Sequence, residues 1–117
     1  MDIYEYRRML ATSPMPPAFA RRLRQARQAV GLPQDKLGVL AGLDEGTASA
    51  RISRYESGIH EPNIAFAERL ASALKVPTAY FYASDDRLAE LILCFGQLDA
   101  SRRKTLLTFA RELSEGT

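Results

Sequence analysis

Apolar positions along this chain recur at helical steps, in separate runs divided by glycine, proline and short polar caps. The first run is Phe19, Leu23, Ala26 and Val30, one stripe of a helix starting near Ala18 and stopping at Gly31. Leu37, Leu40 and Ala41 form the buried edge of a second helix, which begins near Pro33 and ends at Gly42. Proline suits a first helical position because its missing N–H is not needed there. Leu43 is expected as a buried plug in the turn that follows. Ala48, Ile52 and Tyr55 mark a shorter third helix, capped by Thr47 or Ser49 and closed by Gly58. Asn63 caps a fourth, in which Ile64, Ala67, Leu70, Ala71 and Leu74 point inward. Pro77-Thr78 opens a brief fifth helix, with Tyr80, Phe81 and Tyr82 covering the bottom of the core.

After Ser84-Asp85-Asp86 the pattern restarts. Leu88, Leu91, Ile92, Phe95 and Leu98 make a broad apolar face, with Gly96 weakening that helix slightly. Asp99 and Ser101 signal another cap, and Leu106, Phe109, Ala110 and Leu113 form the stripe of a last helix. Together these two helices predict a hairpin too small to fold alone. Residues 1–12 suit a short helix, which Ser13-Pro14-Met15-Pro16-Pro17 ends as a stiff linker. No strand pattern competes, so the expected fold class is all-α. The expected organisation is an N-terminal extension and linker over 1–17, a five-helix bundle over 18–84, and the hairpin over 85–117.

Composition changes this picture only a little. A chain of 117 residues, 46% apolar, has room for one domain and a modest appendage. The formal net charge of +2 says little about partners, but its distribution says more. Arg21, Arg22, Arg24 and Arg27 crowd the first helix, and Arg51 and Arg54 lie on the third. Cys94 is the only cysteine, which excludes an internal disulfide and a cysteine-based metal site within one chain. Its apolar neighbours predict a buried, inert thiol. No apolar run approaches the length of a membrane span, and acids near the N-terminus do not suit a secretory signal. A cytoplasmic protein is the expectation.

The chemistry concentrates in residues 19–82. A short helix bearing Arg51 and Arg54, protruding from a small helical core, has the size to enter the DNA major groove. The run Arg51-Ile52-Ser53-Arg54-Tyr55-Glu56-Ser57-Gly58, followed by Glu61-Pro62-Asn63, resembles the helix-turn-helix domain of the phage-repressor and Cro-like (xenobiotic-response-element) transcriptional regulators. The resemblance implies a lambda-repressor-like bundle and specific functional residues. Gln34 takes the place of a glutamine set against the DNA backbone, and Ile52 that of the buried residue of the recognition helix. Glu56 matches an acid paired with an arginine of the first helix, here Arg27, which the pairing would leave turned toward a phosphate. Ser49, Ala50 and Arg54 fall where family members touch base edges. Arg51 can reach a base or a phosphate, with Thr47, Ser53 and Arg24 on the same surface. Gly58, Ile59 and His60 form the loop that offers backbone N–H groups to phosphate. A lone His60 reads as a surface residue or a phosphate neighbour rather than a metal ligand, and no metal or cofactor is expected.

Two departures from the pattern stand out. Pro33 replaces the usual capping hydroxyl before Gln34, and the stretch from Leu43 to Ala50 is about four residues longer than the tight turn expected between such helices. Asp44 and Glu45 in that stretch suit a helix N-terminus but would be repelled by phosphates. The expected function is sequence-specific binding of double-stranded DNA by a transcriptional regulator, in the first instance a repressor. Many such regulators act as homodimers, and Leu88, Leu91, Ile92, Phe95, Leu106, Phe109 and Leu113 offer the interface, the alternative being that the hairpin folds back onto the DNA-binding core. The competing reading is an antitoxin or adaptor that binds a protein partner through the hairpin or the segment from Ile3 to Leu10. Neither catalytic triads, glycine-rich phosphate loops nor paired carboxylates with metal spacing are found, so an enzyme is not expected.

Overall fold

The computed structural model describes residues 2–5 and 17–116. Residues 3–5 are helical; the rest of the expected N-terminal helix and most of its proline linker lie outside the described residues. From Pro17 onward the chain forms α1 (Ala18–Ala29), α2 (Gln34–Leu40), α3 (Glu45–Ser57), α4 (Ile64–Leu74), a 3-10 helix (Thr78–Tyr82), α5 (Asp86–Gln97) and α6 (Ala100–Glu115). No strand occurs among the described residues, and the architecture is the expected all-α bundle.

Phe19, Leu23, Leu37, Ile52, Leu70 and Phe81 meet at the centre, drawn from α1 to α4 and the 3-10 helix. Full burial of each such side chain stabilises by about 2 kcal/mol. The Phe19 and Phe81 rings sit 5.0 Å apart in a tilted arrangement, which anchors the 3-10 helix under α1. α2 and α3 approach closely at Gly38, where an added Cβ would stand 2.6 Å from that of Ala48. The absence of a side chain at that point lets the two helices cross at contact distance.

Several stripe positions at helix ends prove exposed. Val30, Leu40 and Ile64 are all open to solvent, because each lies where its helix overhangs the core. Pro33 is the N-cap of α2 rather than its first residue. α3 starts at Glu45 with Asp44 as its N-cap, not at Thr47 or Ser49; the Thr47 N–H and hydroxyl both donate to the Asp44 carbonyl. The additional residues therefore lengthen α3 by about a turn at its N-terminal end. Asn63 caps α4 as expected, its Oδ1 accepting the Phe66 N–H at 2.8 Å.

Both C-terminal helices form, but they stand open instead of closing on each other. α5 buries only Ala89, with Ile92 and Leu93 partly packed on the core, and α6 buries no residue. An apolar cleft of about 400 Å3 lies between them. Cys94 is exposed rather than buried, because only one edge of α5 touches the core.

Candidate nucleic-acid interface

α3 turns Ala48, Ile52, Tyr55 and Glu56 into the molecule, at the i, i+4, i+7, i+8 spacing of one helix face. The opposite face is consequently fixed in space. Thr47, Ala50 and Arg54 run along its crest, Ser49, Arg51 and Ser53 flank it, and all are exposed. The helix ends at Gly58, which adopts a left-handed conformation.

Three helices are tied to one carboxylate. Arg27 of α1 donates from Nε to Glu56 Oε2 at 2.6 Å and from Nη2 to Oε1 at 3.0 Å. Gln34, the first residue of α2, donates from Nε2 to Glu56 Oε1 at 3.2 Å. Arg27 Nη1 donates in addition to the Leu32 carbonyl, so each guanidinium nitrogen is engaged internally. The pair is largely dry, with side-chain exposures of 13% for Arg27 and 5% for Glu56. Hydrogen bonding to Glu56 raises the Arg27 guanidinium above its ordinary value, against the lowering effect of burial. Arg27 is thus turned into the molecule rather than toward a phosphate. A bidentate pair of this kind fixes the angle between helices as well as their separation.

The other arginines of α1 divide. Arg24 is exposed and, among the described residues, its guanidinium makes no hydrogen bond. Arg22 is 4% exposed. Its Nε donates to the Ala83 carbonyl at 2.8 Å, its Nη2 to the Ser84 carbonyl and to Asp86 Oδ1, and its Nη1 to Gln25. Arg21 also reaches Ser84 and Asp86. Two of the four charges on α1 therefore latch the start of α5 and are not part of a solvated basic face. Sequence reasoning missed this role, since the partners lie more than 60 residues away.

On α3, Arg51 lies along the edge facing α4. Its Nη2 donates to the Tyr55 hydroxyl at 3.0 Å, and its guanidinium is 5.9 Å from the Tyr55 ring and 6.0 Å from the Phe66 ring. The Arg54 guanidinium has no partner among the described residues. Both border a cleft of about 400 Å3 that separates the end of α3 from His60, Glu61 and Asn63. The loop's backbone N–H groups are engaged. Those of Ile59 and His60 donate to the Arg54 carbonyl, and that of Gly58 to Tyr55. They satisfy the open C-terminus of α3 instead of being offered outward.

A short helix, a tight turn around Gly42 and a second helix presenting an arginine-bearing face define the helix-turn-helix class of fold. The helix-turn-helix domain family matches residues 18–80, and the chain belongs to it. A solved structure described as the crystal structure of transcriptional regulator BswR is 44% identical; the match covers 80% of this chain and 92% of that one, with a TM-score of 0.74. No curated protein matches the chain. Among the described residues no helix is long and apolar enough to cross a membrane, and no cluster of metal-ligating side chains occurs.

Proposed function

We propose that this chain is a sequence-specific DNA-binding transcriptional regulator of the phage-repressor and Cro-like kind, which lays α3 in the major groove and represses. The observation that carries the proposal is the outward crest of α3, exposed while the three-donor tie at Glu56 holds its angle. Arg54, whose guanidinium has no internal partner among the described residues, makes a bidentate contact to guanine. Ala50 meets a thymine methyl, and Ser49, Ser53 and Thr47 serve neighbouring base edges or sugar-phosphate oxygens. Arg51, braced against Tyr55 and Phe66, is the phosphate-facing member of the pair. Gln34 retains a second amide N–H for the backbone, and Arg24 and His60 add positive or polar groups at the rim.

The protein works as a homodimer on two half-sites, joined through α5 and α6, and its site of action is the cytoplasm. A dimer covering such a site excludes other proteins from it, which is the simplest route to repression. The test is selection of bound fragments from random duplex DNA, followed by sequencing. A two-fold symmetric motif with half-sites about 34 Å apart, or a multiple, is the expected result. Recovery of fragments with no shared motif, at any salt concentration, overturns the proposal.

A further inference from the structure

The arrangement of α5 and α6 is held open by specific contacts. Arg103 of α6 donates from Nε to the Phe95 carbonyl at 3.0 Å and from Nη2 to the Gly96 carbonyl at 3.1 Å. Its guanidinium also stacks 4.8 Å from the Phe95 ring centroid. These contacts satisfy the C-terminal carbonyls of α5 and set the direction in which α6 departs. At the same junction, α5 presses on Pro77 through Gly96. An added Cβ there would stand 2.7 Å from the proline ring, so only glycine permits the approach. α6 is consequently an arm set at a defined angle, not a loose tail.

The cleft is apolar, the arm carries an apolar stripe, and neither is covered within the described residues of one chain. Leu88, Leu91 and Phe95 of α5 and Leu107, Phe109 and Leu113 of α6 are 42 to 58% exposed. Six half-exposed large side chains present on the order of 600 Å2 per chain, and two copies therefore supply roughly the 1,200 Å2 of a stable interface. The arm is also complementary to itself. Under an antiparallel two-fold between residues 109 and 110, Leu106 faces Leu113 and Phe109 faces Ala110, large against small. The first third of α6 carries Arg102, Arg103 and Lys104, whereas its last third carries Glu112 and Glu115 beside Arg111. Antiparallel alignment sets these unlike ends together; parallel alignment opposes three cations to three cations.

We infer that the cleft between α5 and α6 is filled by α6 of a second copy of this chain, in a reciprocal antiparallel clasp. The inference rests on the dimeric DNA-binding reading above and specifies its joint. Because Arg22 latches the start of α5 to α1, and Arg103 fixes α6 to α5, the clasp carries a defined orientation from one recognition helix to the other.

Leu113→Asp on the arm and Leu91→Asp on the cleft wall test it, both at exposed positions that leave the core untouched. Sedimentation of the full chain at micromolar concentration is expected to show a wild-type dimer and two monomeric variants. Binding to a single half-site stays within twofold of wild type, while binding to the two-fold site falls about 100-fold or more. A monomeric wild type, or a dimer that survives Leu113→Asp, overturns the clasp. A dimer lost with Leu113→Asp but kept with Leu91→Asp overturns occupancy of the cleft, as does a wild-type chain that forms a stable complex only with a different protein. Loss of half-site binding by wild type itself refutes the DNA reading instead, independently of the dimer.

Discussion

Glu56→Ala isolates the tie on which the geometry of α3 depends. The substitution removes three hydrogen bonds at once, two from Arg27 and one from Gln34. Breaking a buried ion pair by deleting one partner costs about 3–5 kcal/mol, because the other charge is left unpaired. Here Arg27 keeps its bond to the Leu32 carbonyl and is 13% exposed, so part of its charge relaxes toward water. Losing the Gln34 bond adds roughly 1 kcal/mol. The expected loss is therefore about 2–4 kcal/mol, a fall in melting temperature on the order of 10 °C for a chain of this size. Urea denaturation followed by far-ultraviolet circular dichroism measures it. Glu56→Gln, which keeps the shape and one acceptor, is expected to lose about half as much. A double-mutant cycle with Arg27→Met is expected to give a coupling above about 1 kcal/mol. A loss for Glu56→Ala below about 1 kcal/mol, or strictly additive effects in the cycle, would refute the argument that this carboxylate holds α1, α2 and α3 together.

Other outcomes are equally specific. Arg54→Ala is expected to weaken specific DNA binding by about 1–3 kcal/mol without changing thermal stability; fluorescence anisotropy across a salt series checks this, and unchanged affinity at both low and moderate salt counts against a base contact. Gly38→Ala forces a methyl against Ala48 and is expected to cost about 1–3 kcal/mol in thermal unfolding; a neutral result means α2 and α3 separate without penalty. Asp86→Asn tests the latch through pH. The hydrogen bond from Arg22, with its charge and that of Arg21, holds the Asp86 carboxyl below its ordinary value of 3.8. A folded value below the unfolded one means that the unfolded chain binds more protons in that window, so stability rises with pH there. The wild type is expected to exceed the Asn variant in stability above pH 3.8, with the difference vanishing as pH falls through the folded value. Because the carboxylate is largely exposed, added salt is also expected to shrink the difference. A difference that persists at low pH contradicts the latch.

Local chemistry was enough to place most helices. Gly31, Gly42 and Gly58 each take positive φ at helix ends, and Asn63 caps α4, so punctuation read from residue types marked real boundaries. The apolar stripes centred on Leu23, Ile52 and Leu70 sit in the core for the same reason, since helical spacing determines which residues share a face. The match of Arg27 to Glu56 came from the resemblance to a known family rather than from spacing, and the two meet at hydrogen-bonding distance.

What the sequence could not decide was how far each face is covered. Periodicity gives the angle of a side chain about its own helix, but not whether another element stands opposite. Val30, Leu40 and Ile64 share stripes with buried residues yet lie beyond the edge of the packed layer, and Cys94 sits on an uncovered side of α5. Asp44, not a hydroxyl residue, opens α3, since the folded turn after Gly42 fixes where helical dihedrals begin. The separate fates of Arg22 and Arg24 depend on acceptors brought in by the Ala83–Asp86 segment, which only the closed chain supplies. The open angle between α5 and α6 likewise comes from Arg103, Gly96 and Pro77 meeting in three dimensions. Short-range residue chemistry determined the elements and their apolar faces; long-range contacts determined which charges are structural, which are free, and which apolar faces still lack a partner.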